Sequence, residues 1–241
     1  MEKKQKHKMD FIKHLFVEDP VPVGPIRYQS PIELSDKNVS FSLQQVLSVN
    51  GKNTGAILNE TTNKNYEVKQ TDKIILNANG IQYHLDEYHF HVITKSEHSL
   101  NGKKYDAEVH YVFVEDDDKQ QASHRNLSKP HQCSSICDGK SESGRNYLVI
   151  GRFIQFSNKQ SARKLNKLNV KLPDKFFQYD GTLTAVPPGL PANDYLPVRW
   201  IVGRKPLRLS EKDFNELNSK TSRPLQPLDG RLILAQSKLS K

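Results

Sequence analysis

The chain has 241 residues, 35% of them apolar, and carries 36 Lys and Arg against 27 Asp and Glu, a formal net charge of +9. This length can bury one sizeable core, and short β-rich runs throughout favour a mainly β protein with a few short helices over a helical bundle. No apolar run approaches a membrane span and the first residues are too polar for a signal peptide, so a soluble protein, cytoplasmic or otherwise non-secreted, is expected.

Residues 1–18 join a basic tail, Lys3, Lys4, Lys6 and Lys8, to a short apolar patch, Phe11, Ile12, Leu15 and Phe16, spaced for one or two helical turns. Such a tail either holds a polyanion weakly or is simply solvated; no aromatic residues interleave the lysines to stack on bases. Three prolines between Asp19 and Pro25 disfavour helix and mark the entry to a body expected over residues 19–236, with 237–241 as a C-terminal tail. From Val39 to Phe113, short strands alternate with the turn pairs Asn50-Gly51, Asn79-Gly80 and Asn101-Gly102, the pattern of an antiparallel sheet.

Glu115 to Asn146 lacks any hydrophobic period and reads as a long surface loop. It holds both cysteines, Cys133 and Cys137; even with His131 nearby they lack the four ligands of a structural zinc site, which leaves free thiols or a local loop disulfide. Tyr147 to Phe156 is predicted as a strand whose Leu148-Val149-Ile150 is buried on both faces, and Lys159 to Lys171 as basic and weakly helical. Thr182-Leu183-Thr184 follows Asp180-Gly181. A Pro-rich loop then leads to an apolar strand over Val198 to Val202, and Ser210 with Asp213 caps a short helix.

The chemistry concentrates in Tyr88-His89-Phe90-His91 and Glu108-Val109-His110. Successive side chains of a strand point to opposite faces, so His89 and His91 share one face. With strands over 88–95 and 105–114 and Asn101-Gly102 as the turn between them, His110 falls opposite Ile93, on that same face. Three imidazoles converging with a fourth position open form the donor set of a catalytic zinc site.

These segments resemble the α-class carbonic anhydrase family. The early Tyr28-Gln29-Ser30-Pro31-Ile32 is similar to that family's Gln-Ser-Pro element. His89-Phe90-His91 and Ala107-Glu108-Val109-His110 are similar to its zinc-binding strands, with Ser96-Glu97-His98 between them. Gly181-Thr182-Leu183-Thr184 resembles its gatekeeper-threonine segment, Val198-Arg199-Trp200-Ile201-Val202 the strand that follows, and Arg223-Pro224-Leu225-Gln226-Pro227-Leu228 its closing signature.

The resemblance implies a large twisted, mostly antiparallel sheet with zinc at the base of a pocket, and reversible hydration of carbon dioxide to bicarbonate. It implies Zn2+ on His89, His91 and His110, and Thr184 and Glu97 orienting the nucleophile. Glu108, Glu87 and Gln29 would support the ligands, and Val112, Val149, Leu183, Val198 and Trp200 would wall the substrate pocket. Three departures stand out. Ala56, after Asn53-Thr54-Gly55, occupies the place where efficient members often carry a proton-shuttle histidine, Glu87 replaces a histidine-orienting amide, and Ala185-Val186 lengthens the step from Thr184 to Pro187-Pro188. A modest zinc enzyme with slow proton export is therefore expected; the competing reading is a carbonic-anhydrase-like binding or scaffold protein that uses a basic surface to hold a polyanion or protein partner.

Overall fold

The computed structural model describes residues 28–43, 47–50, 56–60, 66–68, 74–115, 147–157, 167–168, 170–186, 195–211 and 220–236. The N-terminal tail, most of the 115–146 loop with both cysteines, the prolines after Thr184, and the helix expected after Ser210 lie outside them. So does the side chain of Ala56.

Among the described residues fourteen strands follow in chain order: β1 Glu33–Leu34, β2 Phe41–Leu43, β3 Leu47–Asn50, β4 Ala56–Glu60, β5 Tyr66–Val68, β6 Ile75–Ala78 and β7 Ile81–His91, then β8 Ser99–Leu100, β9 Ala107–Glu115, β10 Tyr147–Phe156, β11 Lys167–Leu168, β12 Phe176–Thr182, β13 Pro197–Leu209 and β14 Leu234–Gln236. Twelve of them form one sheet whose main path runs β11-β4-β5-β7-β9-β10-β13-β12-β14-β2, with β6 on β7 and β3 on β6; β1 and β8 form a separate pair. Most pairings are antiparallel, as expected. β10–β13 and β14–β2 are parallel and make the sheet mixed. Helix among the described residues amounts to one 3-10 turn, Asp36–Asn38, capped by the Ser35 side chain accepting from Lys37 N–H, and the single 3-10 residue Glu211; Lys167–Leu168 is strand rather than helix.

The central strands are buried on both faces, which explains their near-continuous apolar sequences. Tyr88 and Phe90 of β7, Val109, Tyr111 and Phe113 of β9, and Leu148 and Ile150 of β10 enter one apolar cluster. The alternate residues, Val112 of β9 with Val149 and Phe153 of β10, enter a second cluster with Val198, Trp200 and Val202 of β13. His89, His91 and His110 belong to this second face.

Asn79-Gly80 joins β6 to β7 as a two-residue turn with φ of 52° and 85°, the left-handed pair that a twisted hairpin requires. Asn101-Gly102 takes the same conformation but closes only the small turn from Leu100 to Lys103, because β8 pairs with β1 instead of extending a hairpin. The zinc-motif strands therefore meet in a different register from the one expected: β7 ends at His91, and His110 lies opposite His89 rather than Ile93. Ile93 to His89 is a shift of four residues, an even number, so the three histidines keep their common face. The bulge in this ladder lies between Leu85 and Glu87, short of the motif.

Candidate metal centre

His89 and His110 are cross-strand neighbours and His91 is two residues along β7. Their ring centroids are 5.0 Å (His89–His91), 5.2 Å (His89–His110) and 4.7 Å (His91–His110) apart. One nitrogen from each lies within 4.8 Å of the others, and all three residues are buried. The outer nitrogens are engaged by protein: His89 Nδ1 is 3.2 Å from Glu87 Oε1, and His91 Nδ1 is 3.0 Å from the Thr221 carbonyl. His110 Nε2 is 3.1 Å from Glu108 Oε1, close enough for a hydrogen bond but poorly aligned. That leaves Nε2 of His89 and His91 and Nδ1 of His110 to face one another.

The donor set fits a zinc ion. His91 Nε2 is buried without a hydrogen-bond partner, and so is Glu97 Oε2, 3.5 Å away. Leaving such groups unsatisfied costs about 1–3 kcal/mol each, a penalty that a cation at this point removes. Burial holds the His89 and His91 imidazoles well below the usual histidine range, reinforced by Lys220 and His110 at His89 and by His110 and His89 at His91. They stay neutral, the form that binds metal.

Glu108 anchors a buried network behind the rings. Its Oε2 accepts from His98 N–H at 2.8 Å and its Oε1 from His98 Nδ1 at 2.8 Å; His98 Nε2 is 2.7 Å from the Tyr179 hydroxyl, which donates to Ser30 Oγ at 3.0 Å. Burial alone would raise the Glu108 pKa, but His98 and His110 pull it well below the usual carboxylate range. Gly151 opposite His110 makes room for it, since a Cβ there would sit 2.8 Å from Glu108 Oε1.

Glu97 Oε1 accepts from Arg223 N–H at 2.8 Å, and Lys104 Nζ ties down the carbonyls of Ser96 and Glu97 at 2.9 and 2.5 Å. Gln29 is not among the partners of the histidines: its Oε1 accepts from the Arg223 guanidinium, with Arg223 and Glu97 between it and the rings. Thr184 is half-buried on the cavity wall and makes no hydrogen bond to Glu97. The cavity, about 750 Å³, has His89, His91, His110 and Glu97 together with Val112, Val149, Leu183 and Trp200 in its lining. Val198 is not part of that surface and packs in the core with Trp200.

Reading the chain alone leaves His98, Tyr179, Thr221, Lys220 and Arg223 without roles. His98 had a signal, an unbroken polar run Ser96-Glu97-His98-Ser99 that is buried throughout. The others reach the site across 81 residues or more, from His98 to Tyr179 at the least and from His91 to Thr221 at 130, a separation no local pattern reveals.

Comparison with known proteins agrees with this geometry. A carbonic anhydrase from Nostoc sp. is 28% identical over 229 residues, 86% of this chain and 74% of that protein. Dioscorin dioA3 of Dioscorea japonica is 28% identical over 220 residues, 85% and 74% of the two chains. Among solved structures, the Photobacterium profundum alpha-carbonic anhydrase superposes with a TM-score of 0.60 at 21% identity, covering 88% of this chain and 90% of that one. A dioscorin solved as a complex with ascorbate superposes at 0.61 and 21% identity, covering 89% and 87%. The family model for eukaryotic-type carbonic anhydrase matches residues 21–237, a span that contains all three histidines, and the chain belongs to that family.

Proposed function

We propose that the protein catalyses the zinc-dependent reversible hydration of carbon dioxide, at a modest rate. The observation that carries this reading is the convergence of three buried imidazoles, one with an unpartnered inward nitrogen, at a cavity with an apolar lining. Zinc held there supplies a Lewis acid that makes a hydroxide nucleophile available near neutral pH, the behaviour for which carbonic anhydrase is itself the reference example.

The chain's own residues supply the rest. Val112, Val149, Leu183 and Trp200 offer an uncharged substrate an apolar surface beside the rings. Glu97, pinned through Oε1 by Arg223, keeps Oε2 near the ring nitrogens, and Thr184 on the wall would hold the nucleophile's proton and aim its lone pair. Without a Thr184–Glu97 hydrogen bond in the resting structure, that alignment is completed only on binding, which argues for modest activity. Ala56 offers no proton relay where efficient family members often carry a histidine, so export of protons falls to external buffer.

A second reading, in which the same cavity holds a small ligand without turning it over, draws support from the dioscorins among the relatives and from the dioscorin structure that contains ascorbate. The intact histidine triad favours catalysis. Zinc-loaded protein should hydrate carbon dioxide faster than a His110→Ala variant, and equal rates would end the enzymatic reading.

A further inference from the structure

We propose that Lys220 is a positioning residue for the metal centre: its ammonium is the counter-charge of Glu87, and the balance between them sets how tightly the histidines hold zinc. The inference rests on the metal-centre reading above and extends it to a residue with no role in that reading.

Glu87 places a carboxylate at the outer nitrogen of His89, 3.2 Å away, with its side chain 19% exposed. Together with Glu97 and Glu108 it puts three carboxylates against the three rings. Such an accumulation of negative charge calls for a nearby cation. Lys104 is committed to the carbonyls of Ser96 and Glu97, and the Arg223 guanidinium to Ser30 O and Gln29 Oε1.

Lys220 is fixed beside the motif strand by its backbone: its N–H donates to Phe90 O at 2.9 Å, and it bridges to His91 in parallel register. There Lys220 lines the same cavity as Glu87, His89 and Thr184. Glu97 lines that cavity as well, so Lys220 shares it with two of the three carboxylates. A residue carried on a backbone registered against Phe90 and His91, next to the ligand pair of β7, is well placed to tune both histidines.

A charge-balance role makes a prediction of sign that a merely structural one does not. At pH 8, with zinc affinity measured by competition against a chromophoric chelator, Glu87→Gln leaves the lysine charge uncompensated and weakens zinc binding about tenfold. Lys220→Met leaves the carboxylate uncompensated and tightens it several-fold, the double variant returns to within about threefold of wild type, and Lys220→Arg stays within about twofold. Lys220→Gln serves the same purpose should the methionine variant not fold. Lys220 variants that weaken binding or leave it unchanged, in a protein whose wild type takes up zinc, overturn the inference alone. A wild type that takes up no zinc overturns the metal-centre reading with it.

Discussion

Replacing Glu108 by Gln is the sharpest structural test of the network behind the rings. The carboxylate accepts from two donors, His98 N–H and His98 Nδ1 at 2.8 Å, and lies 3.1 Å from His110 Nε2, with no solvent access. An amide of the same shape has one accepting oxygen, so at least one buried donor must face its NH2. Losing charge assistance and stranding a donor together should lower stability by about 2–4 kcal/mol. Disturbing the hold on His110 should weaken zinc binding about 10–100-fold.

Urea unfolding of the zinc-free proteins measures the first effect and chelator competition the second. The pH dependence supplies a check of sign. A carboxylate with a depressed folded pKa contributes stability that is complete above its unfolded pKa of about 4.3 and is lost as pH falls through the folded value. The gap between wild type and variant should therefore hold from pH 7 to about pH 5 and close below that. A loss under about 0.5 kcal/mol with unchanged zinc affinity would refute the reasoning.

Three further outcomes are expected. His89 and His91 have folded pKa values well below that of an unfolded histidine, about 6.5, so the unfolded chain binds more protons below that pH, and zinc-free stability should fall as pH drops beneath it; urea midpoints between pH 7.5 and 5 check this, and a flat profile contradicts it. A Cβ at Gly181 would collide with Ser30 Oγ, which is held by Tyr179 and Thr182, and lie 2.8 Å from Tyr179 Cε2; Gly181→Ala should lower stability by about 1–3 kcal/mol in thermal unfolding. With Ala56 in place of a relay, added imidazole buffer should raise turnover several-fold in stopped-flow hydration assays, and no enhancement would remove Ala56 as the explanation for slow export.

The three candidate metal ligands were legible in the chain because His89 and His91 follow a period of two and all three sit in strands dense with Val, Tyr and Phe. That reading survived a four-residue error in register, since only parity decides which face a side chain takes. The strand Tyr147–Phe156 was equally readable from its apolar run. β12 was harder, because Phe176-Phe177-Gln178-Tyr179 follows a polar stretch and its pairing partners come later in the chain. β13 continues past Val202 through Arg204 and Lys205 because β10 pairs with it on the far side of an irregularity between Arg152 and Ile154, a tertiary effect that overrides local polarity. The Glu97 clamp by Arg223 and the His91 clamp by Thr221 come from a segment more than a hundred residues downstream. Only the assembled sheet brings that segment to the rings.

The most direct test of the central claim is zinc K-edge X-ray absorption on protein loaded with one equivalent of metal. The account predicts a four-coordinate ion with three histidine nitrogens at about 2.0–2.1 Å and one further light-atom donor. A six-coordinate, oxygen-dominated shell, or a spectrum unchanged by His110→Ala, would contradict it.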